Sequence, residues 1–254
     1  MNARAILAPI GLILVLLVAW EAIVRLAEVP VYVLPPPSAI GEALCANAGL
    51  LAQSAWRTLS MALLALVAAS IFGNLLAVLT AISTTLAGAI RPIAVGLQVT
   101  PVVAIAPLVV IWAGIDHPTI AIVALAAVVA FFPIFSGAVS GLAAVDPDLR
   151  RLFDLYGASR WSRFRRLQLP SAVPFLLEGH KVAAGLAIIG AVVAEFVAGA
   201  GGAQGLAWRI LEAGNQLQIP EMFAAILVLG AMAGALYLAL SALERRALAW
   251  WRGR

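Results

Sequence analysis

Glu195 is a carboxylate set in GAVVAEFV, with apolar residues on both sides. A charge in such a run is costly unless it meets a partner or an aqueous path, so Glu195 is either a translocation-pathway residue or one end of a structural hydrogen bond. Glu178 and Lys181 stand at i and i+3 beside His180, a spacing that predicts a local ion pair. Ser136 and Ser140 have no histidine at a matching depth to act as base, so nucleophilic catalysis lacks its constellation. Cys45 is the one cysteine, and His117 and His180 are the two histidines, too few and too scattered for a zinc site. His117 lies in GIDHPT and is read as a turn residue. No G-x-x-x-x-G-K-[ST] phosphate loop occurs, so the chain cannot cradle ATP phosphates in that way.

The elements that must hold these residues are apolar almost throughout. Of 254 residues 64% are hydrophobic and 11% charged, against ~25% charged in soluble domains. The chain is therefore an all-helical integral membrane protein, and its formal charge of +4 concerns membrane topology, not nucleic acid. Crossing the hydrocarbon takes about 20 mostly apolar residues, and six stretches qualify: approximately 5–27, 58–82, 92–115, 119–142, 173–199 and 222–243. The first is expected to be a retained span, since no small-x-small cleavage site follows it. Pro101, Pro107 and Pro133 fall inside these runs and predict kinks. In VYVLPPPSAIGEAL the proline run stops helix propagation, and Ser38 is expected to cap the short helix that follows. Glu21 and Arg25, at i and i+4, are expected to pair. Gly137–Gly141 and Gly230–Gly234 have the small-x3-small spacing of close helix packing.

With the N-terminus cytoplasmic, inside segments hold Arg4, Arg91, Arg150, Arg151, Arg160, Arg163, Arg165, Arg166, Lys181, Arg245, Arg246, Arg252 and Arg254, thirteen of the sixteen Lys and Arg. Only Arg25, Arg57 and Arg209 fall outside, so both termini are expected to be cytoplasmic. The longest inside connection is 143–172. Within it Asp146 suits an N-cap, Pro147 the first helical position, Asp148 the positive end of the helix dipole, and Gly157 a left-handed C-terminal cap. Leu149, Leu152, Phe153 and Tyr156 form an apolar stripe, while Arg150, Arg151 and Asp154 take the other side. Trp161, Phe164 and Leu167 recur along a second basic segment, and Pro170 and Pro174 punctuate the return into span five. The arginines alone are explained by topology. The caps, the stripe and the prolines together predict helix, glycine, helix, and a docking element for a cytoplasmic partner.

This segment resembles the E-A-A-x3-G-x9-I-x-L-P loop of the membrane subunits of binding-protein-dependent ABC importers, with Gly157, Leu167, Leu169 and Pro170 at the G, I, L and P positions. The opening triplet is Arg151, Leu152 and Phe153 instead of E-A-A, so the family's glutamate contact does not carry over, whereas the helix-glycine-helix shape does. WEAIVRL, VLPPPSAIGEAL, PVVAIAPLVVIWAGI, AIIGAVVAEFVAG and FAAILVLGAMAGALYLALSALERR extend the resemblance in order to the branch handling nitrate, sulfonates, taurine and pyrimidine or vitamin precursors. QVTPVVAIAPLVVIW, FFPI and GAVVAEFV look more like permeases for thiamine-precursor pyrimidines or riboflavin.

The resemblance implies a type I ABC importer permease, one transmembrane domain over 1–254, multi-pass in the bacterial cytoplasmic membrane and usually a homodimer. It implies an extracytoplasmic substrate-binding protein and two copies of a cytoplasmic ATPase that binds the ATP, with no cofactor in this chain. Leu149, Arg151, Leu152, Phe153, Tyr156, Gly157, Ala158, Leu169 and Pro170 would couple to that ATPase. Glu195, Pro101 and Pro107 would belong to the pathway, and GAGGAQGLAW, 199–208, would be a flexible outside connection near the binding protein. A gradient-driven transporter would instead predict charges through several spans and a repeat between halves, where only Glu195 is well placed.

Overall fold

The computed structural model describes residues 3–114, 117–198 and 204–251, and those residues are helical with short connections. Among the described residues five helices are long and apolar enough to cross a membrane, and a sixth span results when one bent pair is taken together. The ends of two expected spans, Ile115 and Gly199, and the charges Arg252 and Arg254 lie outside the described residues.

The chain divides into two compact units, one of Met1–Arg57 with Gln204–Ala231 and the other of Thr58–Ala203 with Met232–Arg254. In the first, α1 (Ala3–Leu26) is followed by α2 (Pro37–Ala46). The predicted Glu21–Arg25 pair forms at 2.6 Å. Ser38 does not cap α2: Pro36 holds the N-cap position without a side-chain bond. Instead Glu21 accepts the Ser38 N–H at 3.0 Å and its hydroxyl at 2.8 Å. The helix opens at Pro37, so Ser38 stands inside the first turn as a donor, and a carboxylate from α1 satisfies it. The unit also contains α10 (Leu206–Asn215) and the start of α11 (Ile219–Trp251). Leu206 to Trp208, expected in a flexible connection, are helical. Trp20 packs at a tilt on Phe223, ring centroids 6.1 Å apart.

α3 runs from Ala48 to Ile82, 35 residues, or about 52 Å, well beyond the ~30 Å of hydrocarbon. The apolar run 58–82 is therefore only its membrane-length portion. In the second unit the expected span 92–115 is not one kinked helix. α4 (Thr84–Val99) and α5 (Val102–Ala113) meet at a bend of 101°. Pro101 disfavours the helical conformation at Thr100, which is extended (φ −70°, ψ 123°), and Thr100 turns its hydroxyl back to the Gly96 carbonyl at 2.7 Å. Pro107 and Pro133 stay inside their helices.

The core of this unit is the pair α6 (Pro118–Ala143) and α9 (Leu169–Ala198). Ile122, Leu125 and Ile134 on α6 and Ala183, Ala187 and Ala191 on α9 are buried. Lipid tails are as apolar as leucine, so helices gain little by hiding leucine from them and associate through close backbone packing. A Cβ at Gly179 would stand 2.7 Å from the Pro133 carbonyl oxygen, and one at Gly137 2.9 Å from that of Phe175. Gly190 and Gly141 press equally closely on Ala126 and Ala172. The Gly137–Gly141 spacing is thus used for packing, whereas Gly230 and Gly234 face open space within the chain. Lys181 pairs with Glu178 at 2.5 Å, as expected, and also with Glu244 of α11 at 2.9 Å.

A Gly179→Ala change is expected to force the two backbones apart and cost ~1–3 kcal/mol, seen as a lower thermal unfolding midpoint in detergent. Gly185→Ala, on the same helix but with nothing near its added methyl, is expected to leave the midpoint unchanged or raise it slightly.

Candidate functional site: the capped segment and the far end of α9

The segment after α6 forms as a succession of local signals. In α7 (Pro147–Leu155) the Asp146 carboxylate accepts the N–H groups of Asp148, at 2.8 Å, and Leu149, at 3.4 Å, and Pro147 opens the helix. At the other end Gly157 N–H donates to the Asp154 carbonyl (3.1 Å) and Ala158 N–H to that of Phe153 (3.0 Å). These are the two bonds of a Schellman cap, and Gly157 has the left-handed φ of +62° that the cap requires. Ser159 then accepts the Ser162 N–H and caps α8 (Arg160–Arg163). An ion pair between Arg163 and Asp154 clamps α8 to α7 across the glycine. Trp161 and Phe164 stack at 5.7 Å.

A π-helical turn, Phe164–Gln168, joins α8 to α9. Pro170 therefore does not begin span five after a loop: apolar helix continues through it from Arg160 to Ala198. Leu169 N–H donates to the Phe164 carbonyl, five residues back. The widened turn relieves the clash that a proline ring otherwise makes with the carbonyl four positions earlier. The expected inside connection 143–172 is thus mostly helix.

The apolar stripe of α7 is uncovered among the described residues. Leu152 is 44% exposed and Tyr156 82%, with Leu149 similar to Leu152, while Phe153 is half-buried. Leu155 extends this surface at 84% exposure; helical periodicity places it at the margin of the stripe, and only the open surroundings of α7 bring it in. Arg151 points to Asp148 at 3.4 Å, and Leu169 is exposed.

Glu195 lies at the other end of α9, 26 residues from Leu169, or about 39 Å along the axis. It is 1% exposed and accepts a 2.7 Å hydrogen bond from the Thr58 hydroxyl. Thr58, itself buried at the start of an apolar run, is a partner that sequence reasoning did not single out; its signal is a hydroxyl in a run with few others. Pro101 and Pro107 are exposed on α5 and its N-cap. The segment residues thus come together, and Glu195 stands apart from them on the same helix.

Residues 71–249 match the family described as binding-protein-dependent transport system inner membrane component. The chain belongs to this family, and it is a permease subunit of an ABC importer, a multi-pass membrane protein. Among its relatives, a riboflavin transport system permease protein from Chloroflexus aurantiacus is 35% identical over 246 residues, 95% of this chain and 89% of that one. A formylaminopyrimidine transport permease protein from Halalkalibacterium halodurans is 31% identical over 96% of both chains. A taurine transport system permease protein from Escherichia coli is 31% identical over 98% of this chain and 91% of its own length.

Thr58→Val removes a hydrogen bond to a buried carboxylate and is expected to cost ~1.5–3 kcal/mol. Thermal unfolding of the purified protein measures this, and Thr58→Ser, which keeps the hydroxyl, is expected to restore most of the loss.

Proposed function

We propose that the chain carries a small solute from an extracytoplasmic binding protein into the cytoplasm, as one of two copies in a homodimeric permease powered by a separate ATPase dimer. The observation that carries this reading is the uncovered apolar face of α7, closed by caps at both ends. A nine-residue helix buries too little to hold itself on lipid firmly, so a protein cleft is the better cover.

In this reading Leu149, Leu152, Leu155 and Tyr156 enter a cleft of the ATPase, with Arg151 at the rim and Phe153 holding α7 from within. ATP, bound by the partner, closes the ATPase dimer and moves α7 as a rigid lever. The Schellman cap at Gly157 and Ala158 and the Arg163–Asp154 pair pass that displacement to α8. The π-helical turn, Leu169 and Pro170 pass it to α9. Glu195, and the break in the backbone at Pro101 with Pro107 beyond it, then respond at the pathway between inward and outward access. Both termini are cytoplasmic, and the whole of 1–254 acts as one permease domain in a bacterial cytoplasmic membrane.

The substrate class proposed is a pyrimidine precursor of thiamine or a riboflavin-like compound. Its support is the similarity to the riboflavin and formylaminopyrimidine permeases together with QVTPVVAIAPLVVIW, FFPI and GAVVAEFV. A taurine or sulfonate importer is the second reading, favoured by the taurine relative. Binding of riboflavin, formylaminopyrimidine and taurine to the binding protein encoded beside this chain discriminates them.

Leu152→Asp with Leu155→Asp, both at exposed positions, is expected to leave membrane insertion intact and to abolish recovery of the ATPase in affinity purification from membranes expressing the native neighbours. Full recovery with the double variant would overturn the docking assignment. Gly157→Val, a β-branched residue forced to φ +62°, is expected to retain some ATPase while uncoupling hydrolysis from uptake in proteoliposomes; normal uptake would refute the lever.

A further inference from the structure

Beside the capped segment opens a cavity of about 700 Å³ whose two walls differ in kind. One wall is the apolar end of α3, including Val78 and Ile82, followed by Ser83 and Thr84 where α4 begins. The other carries Arg150 of α7, Arg160 and Arg163 of α8, and Trp161. A smaller cavity of about 120 Å³ shares Ala81, Arg150 and Gln168 with it and adds Arg91 of α4.

Four arginines therefore line two adjoining cavities. Among the described residues the single carboxylate that any of them meets is Asp154, paired with Arg163. Arg163 is only partly satisfied, since its Nε is buried without an acceptor. Among the described residues the Arg91, Arg150 and Arg160 side chains have no hydrogen-bond or ion-pair acceptor. Like charges gathered in this way repel unless an anion joins them. The Ser83 hydroxyl accepts the Leu86 N–H and leaves the rest of the first turn of the sixteen-residue α4, with its positive dipole end, at the same place.

Arginines favour phosphate because their planar fork matches its oxygens. A soluble phosphate, however, has no use for the apolar wall. Val78 and Ile82 belong to the last turns of a helix long and apolar enough to cross a membrane, and Trp161, 68% exposed near the start of the apolar helix Arg160–Ala198, is of the residue type enriched at the boundary of hydrocarbon and water.

We propose that this cavity binds one anionic phospholipid, its phosphodiester between Arg150 and Arg160 and an acyl chain along Val78 and Ile82. The headgroup would bridge α7 and α8, on either side of Gly157, to the end of α3. The charge of the surrounding lipid would thereby set how firmly the segment is held.

The test is native mass spectrometry of the full chain, purified in mild detergent and titrated with phosphatidylglycerol, phosphatidylcholine or inorganic phosphate. One phosphatidylglycerol per chain is expected to be retained, with phosphatidylcholine at least about tenfold weaker. Arg150→Ala with Arg160→Ala is expected to lower phosphatidylglycerol retention by at least about tenfold. Arg160→Glu alone, at an exposed position, is expected to lower it too and serves if the double variant unfolds. Arg245→Ala with Arg246→Ala, exposed charges outside the cavity, is expected to retain the lipid as wild type does. Equal retention of both lipids, wild-type retention by the cavity variants, or an equal loss in the Arg245 and Arg246 variant would overturn the site. Displacement of the lipid by millimolar inorganic phosphate would reassign it to a soluble anion and overturn the lipid proposal. The chain is measured alone, so this outcome is independent of ATPase docking.

Discussion

The close approach of α6 and α9 is the constraint on which the second unit depends. In a bilayer the burial of large apolar side chains does not by itself bring helices together, so the pair relies on backbone contact across glycine and alanine. Gly137, Gly141, Gly179 and Gly190 leave no room for a side chain, and Pro133 offers its carbonyl oxygen directly to the face of Gly179. Such an interface is set by backbone shape and has few alternative packings. It fixes the helix α9 that carries the capped segment at one end and Glu195 at the other.

The capped segment is stabilised differently, by bonds within a few residues of one another. Asp146 satisfies the donors of the first turn of α7, and Gly157 and Ala158 satisfy acceptors of its last. Almost nothing in α7 is buried, so its helicity rests on these caps and on the Arg163–Asp154 clamp. A helix capped at both ends depends less on burial and can offer its apolar face outward. The proposed ATPase contact uses this property, and the proposed lipid site uses the arginines on the other side of the same segment.

Several local expectations change in the structure for the same reason: a partner remote in sequence, or a change of helix type, competes with the nearest sequence signal. Ser38 is well placed to cap α2, but the helix opens one residue earlier, at Pro37, and Ser38 becomes a donor whose N–H and hydroxyl Glu21 on α1 accepts. Pro170 reads as the start of a span, yet the π-helical turn before it lets helix continue. Pro101 reads as a kink within a span; with Thr100 extended and Thr100 bonded to Gly96, the helix instead stops and restarts at a right angle.

The sequence by itself determined what depends on composition and short spacing. An apolar content of 64% permits only spanning helices, and Asp146, Pro147 and Gly157 mark both ends of α7 because capping is decided within one helical turn. The Gly157 to Pro170 spacing carried the family resemblance. Only the tertiary structure decided that Thr58 meets Glu195, that Leu155 joins the exposed face, and that Arg150, Arg160 and Arg163 line one cavity with Arg91 in the one adjoining it. Thr58 and Glu195, like Arg91 and Arg160, are far apart along the chain, and helical periodicity gives the face on which a residue stands but not what faces it.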